Sequence, residues 1–318
     1  MMNHIADTVL MVRPTKFRKN EETAVNNYFQ DDLSIENEQV NKRAQEEFDK
    51  FVGTLKMHGI NVFVVEDNSA SDTPDSVFPN NWVSFHQDGT AVLYPMFAEN
   101  RRKERDLDIW KSLAASNLQV KKVHDYSSVE HFGHFLEGTG SMILDRKNKV
   151  AYCALSDRAD KALFEKFCAD FKYTPVTFSA YQTDGDKRKR IYHTNVMMCI
   201  ASEFAIVCLD CIDDAKEREK VVQSLRDAKK QIIAITEEQL HHFAGNMLQL
   251  KSTNGRKYLV MSSTAAKSLQ PHQIVSIQKH CDIIHSKLDA IETCGGGSAR
   301  CMMAEVFLPN FETDAVIQ

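Results

Sequence analysis

The sequence has no long apolar run and no long basic segment. No stretch approaches the roughly 20 consecutive apolar residues that a membrane-spanning helix needs, so we expect no membrane span. The apolar stretch at 8–12 lacks the basic flank and the length of a signal peptide, and it predicts a strand instead. The net charge is −5 and the basic runs at 101–103 and 187–190 are short. We therefore expect these runs to be solvated loops or helix faces, and we expect no nucleic-acid surface.

The sequence also lacks the paired spacing of a zinc site. Cys208 and Cys211 stand three residues apart, but no second pair of Cys or His residues follows at zinc-site spacing, so we expect no metal. Most of the eight cysteines lie within apolar runs, where a free thiol behaves as a small buried hydrophobe. This pattern favours a reducing compartment and predicts a cytoplasmic protein.

The chain does have a globular composition and a weak internal repeat. Of its 318 residues, 43% are hydrophobic and 26% are charged, which predicts a sizeable core. Pairs of short strand patterns joined by a turn recur at 82–94, 141–155, 195–209 and 246–262. Helical patterns follow at 100–115, 157–171, 214–229 and 265–280, each before a further β-rich stretch. The repeating unit is therefore predicted to be ββαβ.

A fifth unit is predicted to begin at Cys301 and to be completed by the N-terminus. After Cys301 the chain has room for only one more strand, at 302–308. The strand patterns at 8–13 and 61–65, with a helix between them, supply the missing parts. The apolar face of this helix is predicted to consist of Val40, Ala44, Phe48, Phe51 and Leu55. Five units closed in this way predict a single ring-shaped domain over 1–318, in which side chains at the hairpin starts meet at the centre.

The most specific local signal is a glycine run that precedes a cysteine. Gly295, Gly296 and Gly297 allow backbone conformations and close approaches that are closed to other residues. Cys301 follows this run and precedes an apolar strand pattern, so it is the candidate nucleophile. A buried structural cysteine is the alternative interpretation.

A cysteine nucleophile reacts as its thiolate and needs a base, which a carboxylate commonly orients. His193 is the candidate base because it lies at the mouth of the third hairpin. Glu137 is the candidate orienting carboxylate because it lies beside two glycines at the mouth of the second hairpin. In a closed ring these side chains would meet Cys301 at the centre.

Six short segments resemble the ordered motifs of the pentein superfamily of guanidine-modifying enzymes. They are DSVFPNN (75–81), EGTG (137–140), SDR (156–158), HTN (193–195), GN (245–246) and GGSARCM (296–302). The superfamily includes arginine deiminases, dimethylarginine dimethylaminohydrolases and amidinotransferases. The stretches at 137–141 and 295–302 especially resemble its citrulline-utilisation hydrolase branch. The resemblance covers nearly the whole chain and implies a five-bladed α/β propeller built from ββαβ repeats.

The resemblance also implies a covalent mechanism. Cys301 would attack the central carbon of a guanidino or ureido group. His193 would protonate the departing amine and then activate water, while Glu137 holds the imidazole. Arg158 matches the arginine that pairs with the substrate carboxylate, and Arg13 is a candidate to assist it. A helix-face arginine is the alternative for Arg158.

Two positions depart from the arginine-directed relatives. Carboxylates usually stand where this chain has Asn81 and Asn195, and an amide is neutral and both donates and accepts hydrogen bonds. The two amides favour a neutral ureido group over a cationic guanidino group. Asp75 remains as an acidic partner, so guanidino substrates stay open. Asn246, at the start of the fourth hairpin, completes the predicted substrate-binding set.

The predicted function is hydrolysis of a citrulline- or arginine-like amino acid without a metal or an organic cofactor. An amidinotransferase, which resolves the same intermediate with a second amine, is the alternative. A non-catalytic pentein binding protein is the second alternative. The retained cysteine, histidine and glutamate favour an enzyme. The expected partner is a small amino-acid substrate, and a homodimer is left open.

Overall fold

A computed structural model of the chain describes residues 4–68 and 70–311. Within these residues the strands form five three-stranded sheets and one two-stranded sheet. The strands are β1 (Thr8–Arg13), β2 (Asn61–Glu66), β3 (Val83–Phe85), β4 (Thr90–Leu93), β5 (Lys122–Asp125), β6 (Ile143–Asp145), β7 (Val150–Ala154), β8 (Thr174–Phe178), β9 (Tyr181–Asp184), β10 (Lys187–Arg190), β11 (Met198–Ile200), β12 (Phe204–Val207), β13 (Gln231–Ala234), β14 (Leu248–Lys251), β15 (Lys257–Ser262), β16 (Asp282–Ser286) and β17 (Ala304–Glu305).

Helices connect the strands. The α-helices are α1 (Glu21–Ala24), α2 (Asn37–Met57), α3 (Glu99–Arg102), α4 (Ile109–Ala115), α5 (Gly138–Ser141), α6 (Lys161–Phe171), α7 (Thr194–Met197), α8 (Ala215–Asp227), α9 (Glu237–His241), α10 (Ser263–Ser268), α11 (Pro271–Gln278) and α12 (Asp289–Gly295). Short 3₁₀ helices span Pro79–Asn81, Lys103–Asp106, Ser127–Phe132 and Leu209–Cys211. None of the helices in the described ranges is long and apolar enough to cross a membrane.

The five three-stranded sheets share one plan. Their strand orders are β17-β1-β2, β3-β4-β5, β6-β7-β8, β11-β12-β13 and β14-β15-β16. In each sheet the first two strands pair antiparallel and the last two pair parallel. Parallel neighbours need a crossover connection, and helices supply it here. These small sheets with intervening helices confirm the predicted mixed α/β class.

The first strand joins the two ends of the chain. Strand β1 pairs in parallel with β2 over its whole length, from Thr8 opposite Asn61 to Arg13 opposite Glu66. On its other side it pairs antiparallel with β17, where Leu10 lies opposite Ala304. The N-terminal strand therefore completes the sheet that the last strand begins, as the closure argument requires.

Two predicted helices are interrupted, and one predicted strand is shorter. The predicted helix at 100–115 is divided into α3, a 3₁₀ turn and α4, where the Asp108 carboxylate accepts a hydrogen bond from the Lys111 backbone N–H at 3.3 Å. The predicted helix at 265–280 is divided into α10 and α11 because Pro271 does not fit a helix interior and instead begins α11. The predicted strand at 302–308 is reduced to β17.

The hairpin β9–β10 lies outside the repeat and was not predicted. Gly185, with φ of 59°, forms its turn. The prediction of a solvated loop or helix face for the basic run at 187–190 is wrong, because this run is strand β10. Its side chains do lie near water, and the exposed Arg188 forms ion pairs with Asp213 at 2.6 Å and Glu237 at 2.8 Å.

The core confirms the predicted apolar face of α2. All five residues of that face are buried, together with Val52. They pack in one cluster with Phe78, Ile291 and Cys301. The long N-terminal helix therefore supports the segment that carries the candidate nucleophile. All eight cysteines are buried free thiols, as the sequence predicted.

Candidate active site

A glycine-lined turn positions Cys301. Helix α12 ends at Gly295, and Gly296 follows in the left-handed conformation with φ of 62°. A side chain at Gly296 would clash, because its Cβ would lie 2.6 Å from the Asn27 amide nitrogen. The turn is completed by a hydrogen bond from the Cys301 backbone N–H to the Ser298 carbonyl at 3.0 Å. The Cys301 side chain is thereby held in a buried position.

Two asparagine amides contact the sulfur of Cys301. The Nδ2 atoms of Asn195 and Asn246 each donate to Sγ at 3.2 Å. Asn246 also accepts a hydrogen bond from the Arg300 backbone N–H at 3.0 Å, so its amide joins the nucleophile turn on both sides. Both asparagines are buried and lie just before the first strands of neighbouring sheets, β11 and β14.

His193 and Glu137 form a hydrogen-bonded pair. His193 Nε2 lies 2.7 Å from Glu137 Oε2, and both side chains are almost completely buried. The other carboxylate oxygen of Glu137 accepts from the Phe97 backbone N–H at 2.9 Å. The geometry thus brings together the two residues that the sequence assigned as base and orienting carboxylate.

The charges of this pair follow from its surroundings. Burial lowers the pKa of His193 to about 4, and this outweighs the raising effect of the Glu137 carboxylate. Burial opposes ionisation of Glu137, but Arg158 and the His193 hydrogen bond dominate and lower its pKa to about 2. At neutral pH a carboxylate therefore faces a neutral imidazole. Because an ionised carboxylate only accepts, the imidazole proton lies on Nε2 and the lone pair lies on Nδ1.

The guanidinium group of Arg158 lies close to the His193–Glu137 pair. Arg158 donates from Nε to the Asn26 side-chain oxygen at 2.9 Å and from Nη2 to the Thr23 carbonyl at 2.8 Å. Its Nη1 lies 3.6 Å from Glu137 Oε2. The helix-face alternative for Arg158 is therefore wrong, because the side chain is buried.

Arg101 corrects the prediction that the run at 101–103 is solvated throughout. Its side chain is only 2% exposed, and it is held by Glu104 through Nε at 2.8 Å and Nη2 at 3.0 Å. Its Nη1 donates to Asn81 Oδ1 at 2.7 Å. A carboxylate three residues after an arginine was the available sequence signal, but i,i+3 pairs are far more common on exposed helix faces.

One small cavity connects these groups. It is lined by Asp75, Asn81, Arg101, Arg158, His193 and Cys301, together with Asn27, Phe78, Tyr192, Gly295 and Gly297. Burial raises the pKa of the Asp75 carboxyl, whose Oδ2 accepts from Asn20 at 2.7 Å. Asp75 Oδ1 is buried and has no hydrogen-bond partner within the described part of the chain. Asp75 therefore brings to the cavity lining a carboxyl group with one unpartnered oxygen.

The segment at 20–31 covers the cavity. Asn27 Nδ2 and Gln30 Nε2 both donate to the Gly295 carbonyl, at 3.3 and 3.2 Å. The free volume beneath is about 10 Å³, which is close to the minimum for one water molecule. The cavity in this conformation is therefore closed to anything as large as an amino acid.

A family comparison identifies the chain. The model of the family described as N,N dimethylarginine dimethylhydrolase, eukaryotic, matches residues 13–308. The chain belongs to this family. Membership confirms the predicted pentein guanidine-modifying superfamily.

Solved structures share the fold of this family member at low sequence identity. ArgZ, an arginine dihydrolase from cyanobacteria, has a TM-score of 0.72 at 17% identity, and the match covers 96% of this chain and 41% of ArgZ. The product-bound N-terminal domain of ArgZ has a TM-score of 0.69 at 17% identity, with 96% and 100% coverage. A dimethylarginine dimethylaminohydrolase in an adduct with S-methyl-L-thiocitrulline has a TM-score of 0.62 at 12% identity, with 94% and 99% coverage. The chain thus spans about two fifths of full-length ArgZ, and curated proteins give no significant sequence match.

Within this family member the predicted site residues divide into three groups. Cys301, His193, Asn81, Asp75 and Arg158 line the cavity. A second group forms hydrogen bonds with these residues but does not line the cavity: Glu137, Asn195 and Asn246. The prediction for Arg13 is wrong, because its side chain forms an ion pair with Asp49 at 2.8 Å and does not line the cavity.

Proposed function

We propose that this protein hydrolyses a C–N bond at the central carbon of a ureido or guanidino group in a small amino acid. The observation that carries the proposal is the shared cavity of Cys301 and His193, in which the imidazole is oriented by Glu137. The relatives named above, which act on arginine or belong to the dimethylarginine family, support an amino acid with such a group.

The proposed steps conserve protons. His193 Nδ1 accepts the thiol proton before the Cys301 sulfur attacks the carbon, and it gives that proton to the departing nitrogen as the C–N bond breaks. In the second half of the reaction, His193 takes a proton from water while the water oxygen bonds to the carbon. The C–S bond then breaks, and the proton returns to sulfur. Glu137 holds the imidazole in the tautomer that leaves Nδ1 unprotonated.

The substrate carboxylate is assigned to Arg158. This guanidinium already binds two oxygen atoms, those of Asn26 and the Thr23 carbonyl, in the manner expected for an anion. Both oxygen atoms belong to the segment at 20–31. Because the closed cavity has room for little more than one water molecule, the proposal requires this segment to move aside when substrate enters.

Neutral ureido substrates are favoured over guanidino substrates. The Asn81 oxygen is occupied by Arg101, so Asn81 offers the cavity an N–H, which suits a carbonyl oxygen. A second positive charge beside Arg101 would be repelled. Asp75, with its spare oxygen, remains the acceptor available to a substrate nitrogen.

We also propose that the five sheets form the five blades of a closed propeller in one domain. The first strands of several sheets are neighbours: β17 lies beside β3, and β11 lies beside both β6 and β14. The pairing of β1 with β17 supports closure at the chain ends.

A cytoplasmic location is proposed from the eight unpaired cysteines. Whether the protein forms a homodimer would be tested by its molar mass in solution.

Product analysis tests the function. The protein would be incubated in H₂¹⁸O with citrulline, arginine and methylated arginines, and the products would be identified by mass spectrometry. We expect an ¹⁸O atom in the product and release of ammonia or an amine, without an added acceptor amine. Turnover that requires an added amine would instead indicate a transferase.

The nucleophile has a direct control. Cys301→Ser should abolish turnover with unchanged circular dichroism, because a hydroxyl is a much weaker nucleophile than a thiolate at neutral pH. Cys168→Ser, which changes a buried cysteine of α6 outside the cavity, should retain activity. Activity retained in folded Cys301→Ser would remove Cys301 from the mechanism.

A further inference from the structure

The sulfur of Cys301 receives two N–H donors in a buried environment. Asn195 and Asn246 both lie 3.2 Å from Sγ through Nδ2, and neither side chain is more than 1% exposed. A neutral thiol is a weak hydrogen-bond acceptor, whereas an anionic sulfur is a strong one. Two converging donors therefore favour the charged form of the sulfur over the neutral form.

The direction of the Asn246 amide is determined by its surroundings. Asn246 Oδ1 accepts the Arg300 N–H, and Asn246 Nδ2 also donates to the Asn195 carbonyl at 3.1 Å, so a flipped amide would lose both bonds. Asn195 Oδ1 is buried with no partner among the described residues. Asn195 is oriented with Nδ2 toward the sulfur and with Oδ1 away from the other donors in that part of the chain.

His193 does not supply the positive charge that many cysteine nucleophiles use. Its Nε2 is bound to Glu137, and burial lowers its pKa to about 4, so the imidazole is neutral at neutral pH. Among the described residues, the side chains that donate hydrogen bonds to the sulfur are the two amides.

We propose that Asn195 and Asn246 are catalytic residues that act on the nucleophile, as a pair of donors that stabilises the Cys301 sulfur while it is negatively charged. This inference rests on the proposed function for the identity of the reaction. The charge develops twice: when the S–H proton passes to His193 Nδ1 before the S–C bond forms, and when the C–S bond breaks after water has attacked. This role on the nucleophile replaces the substrate-binding role that the sequence suggested for Asn195 and Asn246.

Alkylation of Cys301 tests the proposal without any substrate. The rate of carbamidomethylation by iodoacetamide would be measured on the Cys301 peptide at pH 7 and pH 10 in the native protein, Asn195→Ala and Asn246→Ser. We expect the rate at pH 7 to fall at least tenfold in each variant, because the negatively charged sulfur that reacts has lost one of its two hydrogen-bond donors. At pH 10 we expect rates within about threefold of native, because hydroxide then removes the proton without help.

A control on the same turn separates charge from disturbance of the loop. Ser298→Ala removes a 2.5 Å hydrogen bond to Glu292 but leaves the two sulfur contacts, so its ratio of rates at the two pH values should match the native protein. Equal losses at both pH values in the asparagine variants, or rates at pH 7 within threefold of native, would overturn the proposal. Because alkylation requires no turnover, failure of the proposed hydrolase activity would leave this result readable by itself.

Discussion

At Asn81 a neighbouring guanidinium determines which end of the amide faces the cavity. Arg101 Nη1 donates to Asn81 Oδ1 at 2.7 Å, and Asn81 Nδ2 donates to Asn80 Oδ1 at 2.9 Å. If the Asn81 amide were flipped, its Nδ2 would face the Arg101 donor and its Oδ1 would face the Asn80 acceptor. The buried arginine therefore leaves an N–H of Asn81 as the group that the amide can offer to the cavity.

The substitution Asn81→Asp should shift selectivity toward arginine. A carboxylate keeps the bond to Arg101 but replaces the N–H with an acceptor, which disfavours a urea carbonyl and favours a guanidinium. We expect the ratio of kcat/KM for arginine to that for citrulline to rise by about 10- to 100-fold, as for the loss of one buried hydrogen bond. An unchanged ratio would show that Asn81 does not contact the reacting group.

Gly140 separates two groups of the site, and Gly140→Ala tests that spacing. A Cβ at this position would lie 2.5 Å from Asn81 Nδ2 and 2.9 Å from the His193 ring. Because both groups are fixed by buried hydrogen bonds, we expect kcat to fall by about 100-fold, as when catalytic groups are misplaced by about 1 Å. Gly53→Ala in α2, where a Cβ meets nothing within 4 Å, is the matched control and should keep full activity.

At the scale of elements, Glu47 attaches α2 to the helix that leads to the nucleophile. Its carboxylate accepts from the backbone N–H groups of Ala290 at 2.9 Å and Ile291 at 3.1 Å, in the first turn of α12. Burial nevertheless raises the pKa of Glu47 to about 7. The long N-terminal helix thus holds α12 through a group that titrates near neutral pH.

The variant Glu47→Gln should become more stable relative to native as the pH rises from 5 to 8. The native carboxyl binds more protons than the unfolded one between pH 4.5 and about 7, so its contribution to stability is lost as the pH rises through that window. Glutamine does not titrate. After allowance for partial exposure, we expect a relative gain of about 1 kcal/mol in the free energy of unfolding by urea. The exposed neighbour Glu46→Gln should show no such trend.

The spacing of elements was predictable, whereas their contacts were not. Turn residues and alternating strands determine where each hairpin starts, so Cys301, His193 and Glu137 could be found from their places in the repeat. The prediction for Arg13 was wrong because its place at the end of β1 does not determine the direction of its side chain, which points toward Asp49. Arg101 was missed because burial of a charged residue depends on partners such as Glu104, and their positions require the tertiary fold.

The hairpin β9–β10 shows another limit of the sequence. Its strands are short, polar and largely exposed, so they lack the alternation of apolar residues that predicts a half-buried strand.

The contacts of Asn195 and Asn246 with the sulfur of Cys301 depend on the rotamers of three side chains. No spacing along the chain encodes such contacts.

For the whole molecule, strand β1 is the element on which both chain ends depend. Leu10 is completely buried, and its backbone lies between Phe63 of β2 and Ala304 of β17. Leu10→Ala should lower the free energy of unfolding by about 2–4 kcal/mol, because a cavity remains in the core. Val64→Ala, at a position of β2 that is 36% exposed, should cost less than about 1 kcal/mol. Equal losses in the two variants, measured by urea unfolding, would contradict this role of β1.

The pairing of β1 with β17 also has a consequence for synthesis on the ribosome. Leu10 is made long before its partner Ala304, which lies nearly 300 residues later in the chain. At about 5–20 residues per second, the first strand waits roughly 15 to 60 seconds for that partner. During this time its apolar side chains and its unpaired edge are open to other nascent chains and to chaperones.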